Sequence, residues 1–121
     1  MAQRNLVLFL VGQPVAEDYI WEPAADVYRS GKSWMIKMDL AGIHVEDVQI
    51  ARKGSALIVT GVRRDSFVEG GCTYYNLEIS YSHFRRAFSF PFNLESIPVE
   101  TNYRQGMLFI RVVEPDDERT R

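Results

Sequence analysis

Apolar and polar positions alternate with a period of two along most of the chain. Trp34, Ile36, Met38 and Leu40 share one phase, and Lys37 and Asp39 fall in the other. That is the pattern of a strand with one face buried. Ala41-Gly42 ends it. Val48 and Ile50 share a face in a second short strand that stops at Lys53-Gly54. Leu57 and Val59 do so in a third, closed by Gly61. Tyr75, Leu77, Ile79 and Tyr81 alternate with Asn76, Glu78 and Ser80. Phe84, Phe88 and Phe90 follow in phase up to Pro91. Leu108, Ile110 and Val112 form a last strand, entered through Gly106 and left at Pro115. No helical stripe is sustained; residues 43–48 suit one turn at most. Many short strands separated by turn signals predict an all-β fold, a two-sheet antiparallel sandwich. The longest interruption, residues 64–71, holds Gly70-Gly71 and has the length of a functional loop.

One residue breaks the alternation. Counting by twos from Phe84 reaches Arg86 before Phe88 and Phe90. Arg86 therefore shares the apolar phase of its strand. Two readings stand. A guanidinium at a sheet edge can lay its stem on apolar surface and keep its head in water. Alternatively, it is a paired arginine at a subunit contact, a role that suits its planar, permanently charged fork.

With 121 residues, the chain suits one domain. Its 46% hydrophobic and 25% charged residues are those of a globular protein. A net charge of -2 gives no bulk electrostatic case for nucleic acid or an anionic membrane. The single cysteine, Cys72, makes no internal disulfide and has no companion for a metal site, so the cytoplasm is the expected location. Near the amino terminus, Leu6-Val7-Leu8-Phe9-Leu10-Val11 follows Arg4 and faintly resembles a signal peptide. The run is shorter than an h-region, lacks a small-x-small cleavage site and is far too short to span a bilayer. It reads as an ordered or interacting arm, so no membrane span is expected.

Catalytic constellations are sparse. His44 and His83 have no second His or Cys at metal-ligand spacing. Cys72 beside Gly70-Gly71 reads as an incidental thiol, with a nucleophile as the lesser alternative. There is no phosphate loop, no dinucleotide fingerprint and no calcium loop in Asp116-Asp117-Glu118. No cofactor and no enzymatic activity are expected.

Six segments in order resemble the small heat-shock protein family. Residues 21–28, WEPAADVY, are similar to the opening strand of its alpha-crystallin domain. Residues 34–43, WMIKMDLAGI, resemble the next strand and its D-L-[PA]-G-[VI] turn. Residues 46–50 and 57–64 continue the match. Residues 84–91, FRRAFSFP, resemble F-x-R-x-[FY]-x-[LI]-P. Residues 103–110, YRQGMLFI, correspond to A-x-x-x-[ND]-G-x-L, with the initial Ala missing and Gln105 in place of Asn or Asp. The resemblance covers residues 21–113. It implies an immunoglobulin-like alpha-crystallin sandwich, preceded by an arm at residues 1–20 and followed by a short charged tail at residues 114–121.

In the bacterial and plant branch of that family, the long loop carries an extra strand that pairs with the opening strand of a partner subunit. The resemblance places that strand at residues 73–81, with Tyr75, Leu77 and Ile79, and its target at residues 24–28, with Ala24, Asp26 and Tyr28. Arg86 matches the arginine that helps to hold the contact. The family also has an apolar groove, here between Val48 and Ile50 on one strand and Thr101 and Tyr103 on another. An I-x-[IV] tripeptide after the last strand usually fills it, and residues 114–121 contain none. Two roles remain for the arm. Its alternating side chains (Leu6, Leu8 and Leu10, or Val7, Phe9 and Val11) fill the groove by strand addition, or the arm is a free client-binding tail.

The function implied is that of an ATP-independent holdase chaperone of the stress response, whose partners are non-native client proteins and a second copy of itself in a homodimer or small oligomer. An alternative is a specialised dimeric module of the same fold that docks one defined protein partner. A hydrolase using Cys72 or His83 has little support.

Overall fold

The computed structural model describes residues 21–116. Seven strands follow in order: β1 (Ala25–Ser30), β2 (Ser33–Asp39), β3 (Val48–Lys53), β4 (Ala56–Val62), β5 (His83–Ser89), β6 (Val99–Arg104) and β7 (Met107–Val113). Among the described residues one 3-10 turn, Val45–Asp47, precedes β3, where the compact polar run after Ile43 predicts one turn. The strands form two antiparallel sheets with the orders β1-β2-β7-β6 and β3-β4-β5.

The alternation read from the chain is the alternation of burial. Ile36, Met38 and Leu40 face inward from β2 and its continuation, Leu57 and Val59 from β4, Phe84 and Phe88 from β5, and Leu108, Ile110 and Val112 from β7; all are buried. Leu94 and Ile97, in the connection between β5 and β6, complete the core. In β2 and β7 the register sets Ile36 opposite Ile110 and Met38 opposite Leu108, so inward residues stack in pairs across the ladder.

The β6–β7 hairpin turns through Gln105 and Gly106, both at positive φ (52° and 78°). Two central residues of this kind match the right-handed twist of the flanking strands, which explains the glycine and leaves Gln105 in a region that Asn tolerates better.

Two segments flank the sheets. Trp21 lies beside the outer edge of β5: its N–H donates to the His83 carbonyl at 2.8 Å, and its own carbonyl accepts from Arg85 N–H at 3.2 Å. After β7, Glu114 N–H donates to the Lys32 carbonyl at 2.7 Å, and Trp34 Nε1 donates to Glu114 Oε1 at 3.0 Å. Lys32 Nζ pairs with Asp116 at 2.6 Å. The residues that leave β7 are thereby fastened to the β1–β2 turn.

Residues 73–81, which the resemblance pairs with a partner subunit, form no strand in the single chain and belong to the connection between β4 and β5. A strand exists only where a neighbour takes its N–H and C=O groups. The single chain gives this segment no ladder, and the adjacent stretch of the β5 edge is already taken by Trp21.

Candidate functional site

The connection from β4 to β5 is the most exposed apolar part of the described chain. Phe67 is 88% exposed, Tyr75 95%, Ile79 59% and Leu77 51%, and Val68 and Tyr74 are also exposed. Local polar contacts shape the segment without covering these side chains. Asp65 Oδ1 accepts from Phe67 N–H at 3.1 Å. His44 Nε2 and Ser66 Oγ lie 3.3 Å apart, and Asn76 Nδ2 donates to Glu78 Oε2 at 2.7 Å. At the start of the loop, Arg64 Nε pairs with Asp47 Oδ2 at 2.9 Å. That hydrogen bond from Arg64 holds the Asp47 carboxyl below its ordinary pKa, and Asp47 in turn raises that of Arg64.

The base of the loop is held more firmly than its tip. Arg63 N–H donates to the Ser82 carbonyl at 3.1 Å, which draws the two ends together. The Arg63 guanidinium donates from Nε to the Ser80 carbonyl at 2.9 Å and from Nη1 to the Ala41 carbonyl at 3.1 Å. Its carbon lies 3.9 Å from the Trp21 ring centroid and 5.8 Å from that of Tyr81. Burial lowers the pKa of this group, and Tyr81, Asp39 and Tyr103 act in the opposite direction. The alternation gives no hint of this arrangement, because the partners are backbone carbonyls and rings distant in sequence. The one available signal is an arginine at the boundary between a strand and a long loop.

The opening strand presents a free edge. β1 pairs with β2 on one side and forms the border of its sheet on the other. Ala24, Asp26 and Tyr28 are exposed, as is Val27 on the opposite face. The Ala24 carbonyl accepts from Asp39 N–H at 3.0 Å, and Asp26 approaches Lys37 at 3.7 Å. Arg86 lies on the inward phase of β5, opposite Val59, and is partly buried. Its Nη1 donates to the Pro23 carbonyl at 2.6 Å, and its guanidinium lies 5.0 Å from the Phe88 ring centroid. The fold thus brings Arg86 to the root of the opening strand. Its partner within the chain is a carbonyl, and no ion pair to it occurs among the described residues.

Val48 and Ile50 on β3 and Val99 and Tyr103 on β6, the edge strands of the two sheets, are partly buried against the core. Thr101 is exposed between Val99 and Tyr103. Tyr103 is fixed by its hydroxyl, which donates to the Leu40 carbonyl at 2.7 Å. At the other end, Arg52 Nη1 donates to the Ile97 carbonyl and ties β3 to the approach to β6. Arg52, itself exposed, shares the strand phase of Val48 and Ile50. The arm residues Leu6, Leu8, Phe9 and Leu10 lie outside the described residues.

Cys72 is exposed, and its Sγ lies 3.5 Å from Glu69 Oε1, not beside a histidine. Among the described residues no three His, Cys, Asp or Glu side chains converge on a metal position. No helix among them is long and apolar enough to cross a membrane.

A sandwich of this topology, with a long loop between β4 and β5 and a free opening strand, has clear relatives. The Hsp20/alpha crystallin family model matches residues 26–121, and the chain belongs to that family. Small heat shock protein C2 of Rickettsia felis is 23% identical over 99 residues, which is 82% of this chain and 64% of that one. Spore protein SP21 of Stigmatella aurantiaca is 28% identical over 86 residues, 71% of this chain and 51% of that one. The chain therefore spans about half to two thirds of the length of these relatives. Among solved structures, heat shock protein 16.0 from Schizosaccharomyces pombe superposes with a TM-score of 0.68 at 20% identity, covering 84% of this chain and 94% of the other. A small heat-shock protein from Xylella fastidiosa gives 0.66 at 21%, with coverages of 80% and 89%. These likenesses establish the alpha-crystallin sandwich, and family membership supports a chaperone role.

Proposed function

We propose that this chain is an ATP-independent holdase of the cytoplasm that works as a dimer or small oligomer and captures partly unfolded proteins. The observation that carries the proposal is the exposed apolar loop, set on a chaperone-family sandwich whose opening strand has a free edge. Burial of one large apolar side chain is worth about 1.5–3 kcal/mol. Phe67, Tyr75, Leu77 and Ile79 together offer several times that to whatever covers them. A second copy is the natural cover. Its β1 edge supplies unpaired backbone groups to a segment whose alternation already suits a strand, and the exchange removes an exposed edge from each copy. Arg86 lies at the root of that edge and supports the contact through Pro23.

Client capture then falls to apolar surface outside the sandwich core, the arm above all. Adaptable apolar surfaces bind with modest affinity and little selectivity, which suits a holdase. Two roles stand for the arm: it fills the groove lined by Val48, Ile50, Thr101 and Tyr103 by strand addition, or it is a free client-binding tail.

Light scattering across concentration, read beside suppression of thermal aggregation for several unrelated clients without nucleotide, tests the proposal. Dimers or small assemblies that slow every aggregation are expected. A particle of about 12 or more subunits contradicts the assembly proposed, judged against closed symmetric oligomers in general. Failure with every client removes the holdase reading, and protection of one client alone favours a dedicated binding module.

A further inference from the structure

We propose that Arg63 is a positioning residue that couples the root of the amino-terminal arm to the root of the exposed loop, so that neither can be released without loosening the other. The proposal rests on the loop's role in self-association given above, but its core is a contact within one chain. Arg63 is the meeting point of four segments. It stands just past β4. Its guanidinium covers Trp21, which leads into β1, donates to the Ala41 carbonyl, and reaches Ser80 and Tyr81 at the loop's exit.

Trp21 is itself committed to β5. Its backbone exchanges two hydrogen bonds with His83 and Arg85, and its ring meets Phe84 edge-on at 5.7 Å. Arg63 therefore rests on a ring that is held by the strand the loop feeds into. Displacing Trp21 strips one face of the guanidinium. Displacing Ser80 and Tyr81 strips a carbonyl and the other aromatic contact, and leaves a partly buried cation with fewer partners. A desolvated cation tolerates such a loss poorly, and cation–π contacts strengthen where water is excluded. The lowered pKa of Arg63 agrees with that desolvation. Lysine cannot replace the fork: one ammonium does not span both carbonyls while lying flat on an indole.

The consequence is regulatory. The residues before Trp21 carry the apolar arm, and the residues before Ser80 carry the apolar loop. A client that pulls on the arm acts on the loop through Arg63, and a second copy that orders the loop steadies the arm's root. Two sites that share one set of contacts bias each other reciprocally.

The test uses the full chain in a Trp34→Phe background, in which Trp21 is the remaining tryptophan. Three variants are compared: Arg63→Lys, Trp21→Ala and Tyr81→Ala. Ile110→Val, a core variant remote from Arg63 in sequence, serves as a control for a general loss of stability. Chymotryptic cleavage at Phe67, Tyr74 and Tyr75 reads the loop. Trp21 emission, and amide exchange at Trp21 and Arg85, read the arm's root.

Trp21→Ala is expected to speed loop cleavage about tenfold although it lies outside the loop. Tyr81→Ala is expected to shift Trp21 emission to the red and speed exchange at Arg85. Arg63→Lys is expected to do both, and Ile110→Val neither. The inference is overturned if Trp21→Ala leaves loop cleavage unchanged, if Tyr81→Ala leaves the arm's root unchanged, or if Ile110→Val reproduces the effects. Self-association of the unmodified chain is measured separately. A chain that stays monomeric removes the dimer reading, while cleavage, emission and exchange still decide the coupling.

Discussion

Gly61 shows how little room a single position can leave. It lies in β4 opposite Phe84, and a Cβ placed there would come within 2.6 Å of both the Asp47 carbonyl oxygen and Phe84 Cζ. One of these neighbours is backbone and the other a buried ring, so neither yields easily. Gly61→Ala should cost about 1–3 kcal/mol through overpacking, measured as a lower urea midpoint with an unchanged slope. Arg86 represents the opposite case, a large charged group on an inward phase that the fold accommodates. Its partner is the Pro23 carbonyl, and its guanidinium lies 5.0 Å from the Phe88 ring centroid. Arg86→Ala removes one charge-assisted hydrogen bond and some packing, so a loss of about 1.5–3 kcal/mol is expected in thermal or chemical unfolding. If dissociation of the dimer follows the same substitution at protein concentrations where folding is intact, Arg86 acts at the subunit contact as well.

At the scale of elements, the 3-10 turn and the loop are joined by Asp47 and Arg64. The Asp47 pKa is lowered from its ordinary value of 3.8 by the bond from Arg64. A carboxyl whose pKa is depressed on folding contributes stability that is present above the unfolded value and lost as pH falls through the folded one. Asp47→Asn should therefore lie below the unmodified chain in unfolding midpoint near neutral pH, and the gap should close as pH is taken below about 4. Because the pair is exposed, added salt should narrow the gap at neutral pH as well.

The same scale shows what the chain discloses. β2 and β7 are legible because each carries a long inward phase of large apolar residues, and a ladder partner fixes which face is buried. Residues 73–81 carry an equally regular pattern and form no strand in the single chain, since periodicity records a preference for two faces and not the presence of a neighbour. Arg86 is visible as a break in phase. Arg52 makes the same break after Val48 and Ile50, but one apolar pair before it is too short a pattern to expose it. Arg63 is invisible for a different reason: it is held by the carbonyls of Ala41 and Ser80 and by two rings, and no side-chain pattern encodes a carbonyl.

For the whole molecule, the seam between β3 and β6 and the arm should be linked. Deletion of residues 1–12 is expected to lower thermal stability or assembly size and to let an added I-x-I peptide bind at Val48, Ile50 and Tyr103. Isothermal titration with and without the arm reads this directly. If stability, size and peptide affinity are unchanged and client capture alone falls, the arm is a client-binding element and the seam is open in the unmodified chain.

The order of strands in the larger sheet also governs when the molecule comes into being. β1 and β2 form a local hairpin, as do β6 and β7, but the two hairpins are joined only through the β2–β7 ladder, whose partners such as Ile36 and Ile110 are about 70–80 residues apart. Closure of a loop of that size is slow, and refolding is expected on the scale of milliseconds to seconds. During synthesis the inward faces of β2, β4 and β5 are complete long before β7 leaves the ribosome. Until then Ile36 and Met38 lack their ladder partners Ile110 and Leu108. A chain that ends before Met107 should be insoluble or protease-sensitive, and protection in a ribosome-stalled series should rise abruptly only once the last strand is clear of the exit tunnel. The larger sheet therefore closes only when β7, the last of the described strands, arrives to join its two hairpins.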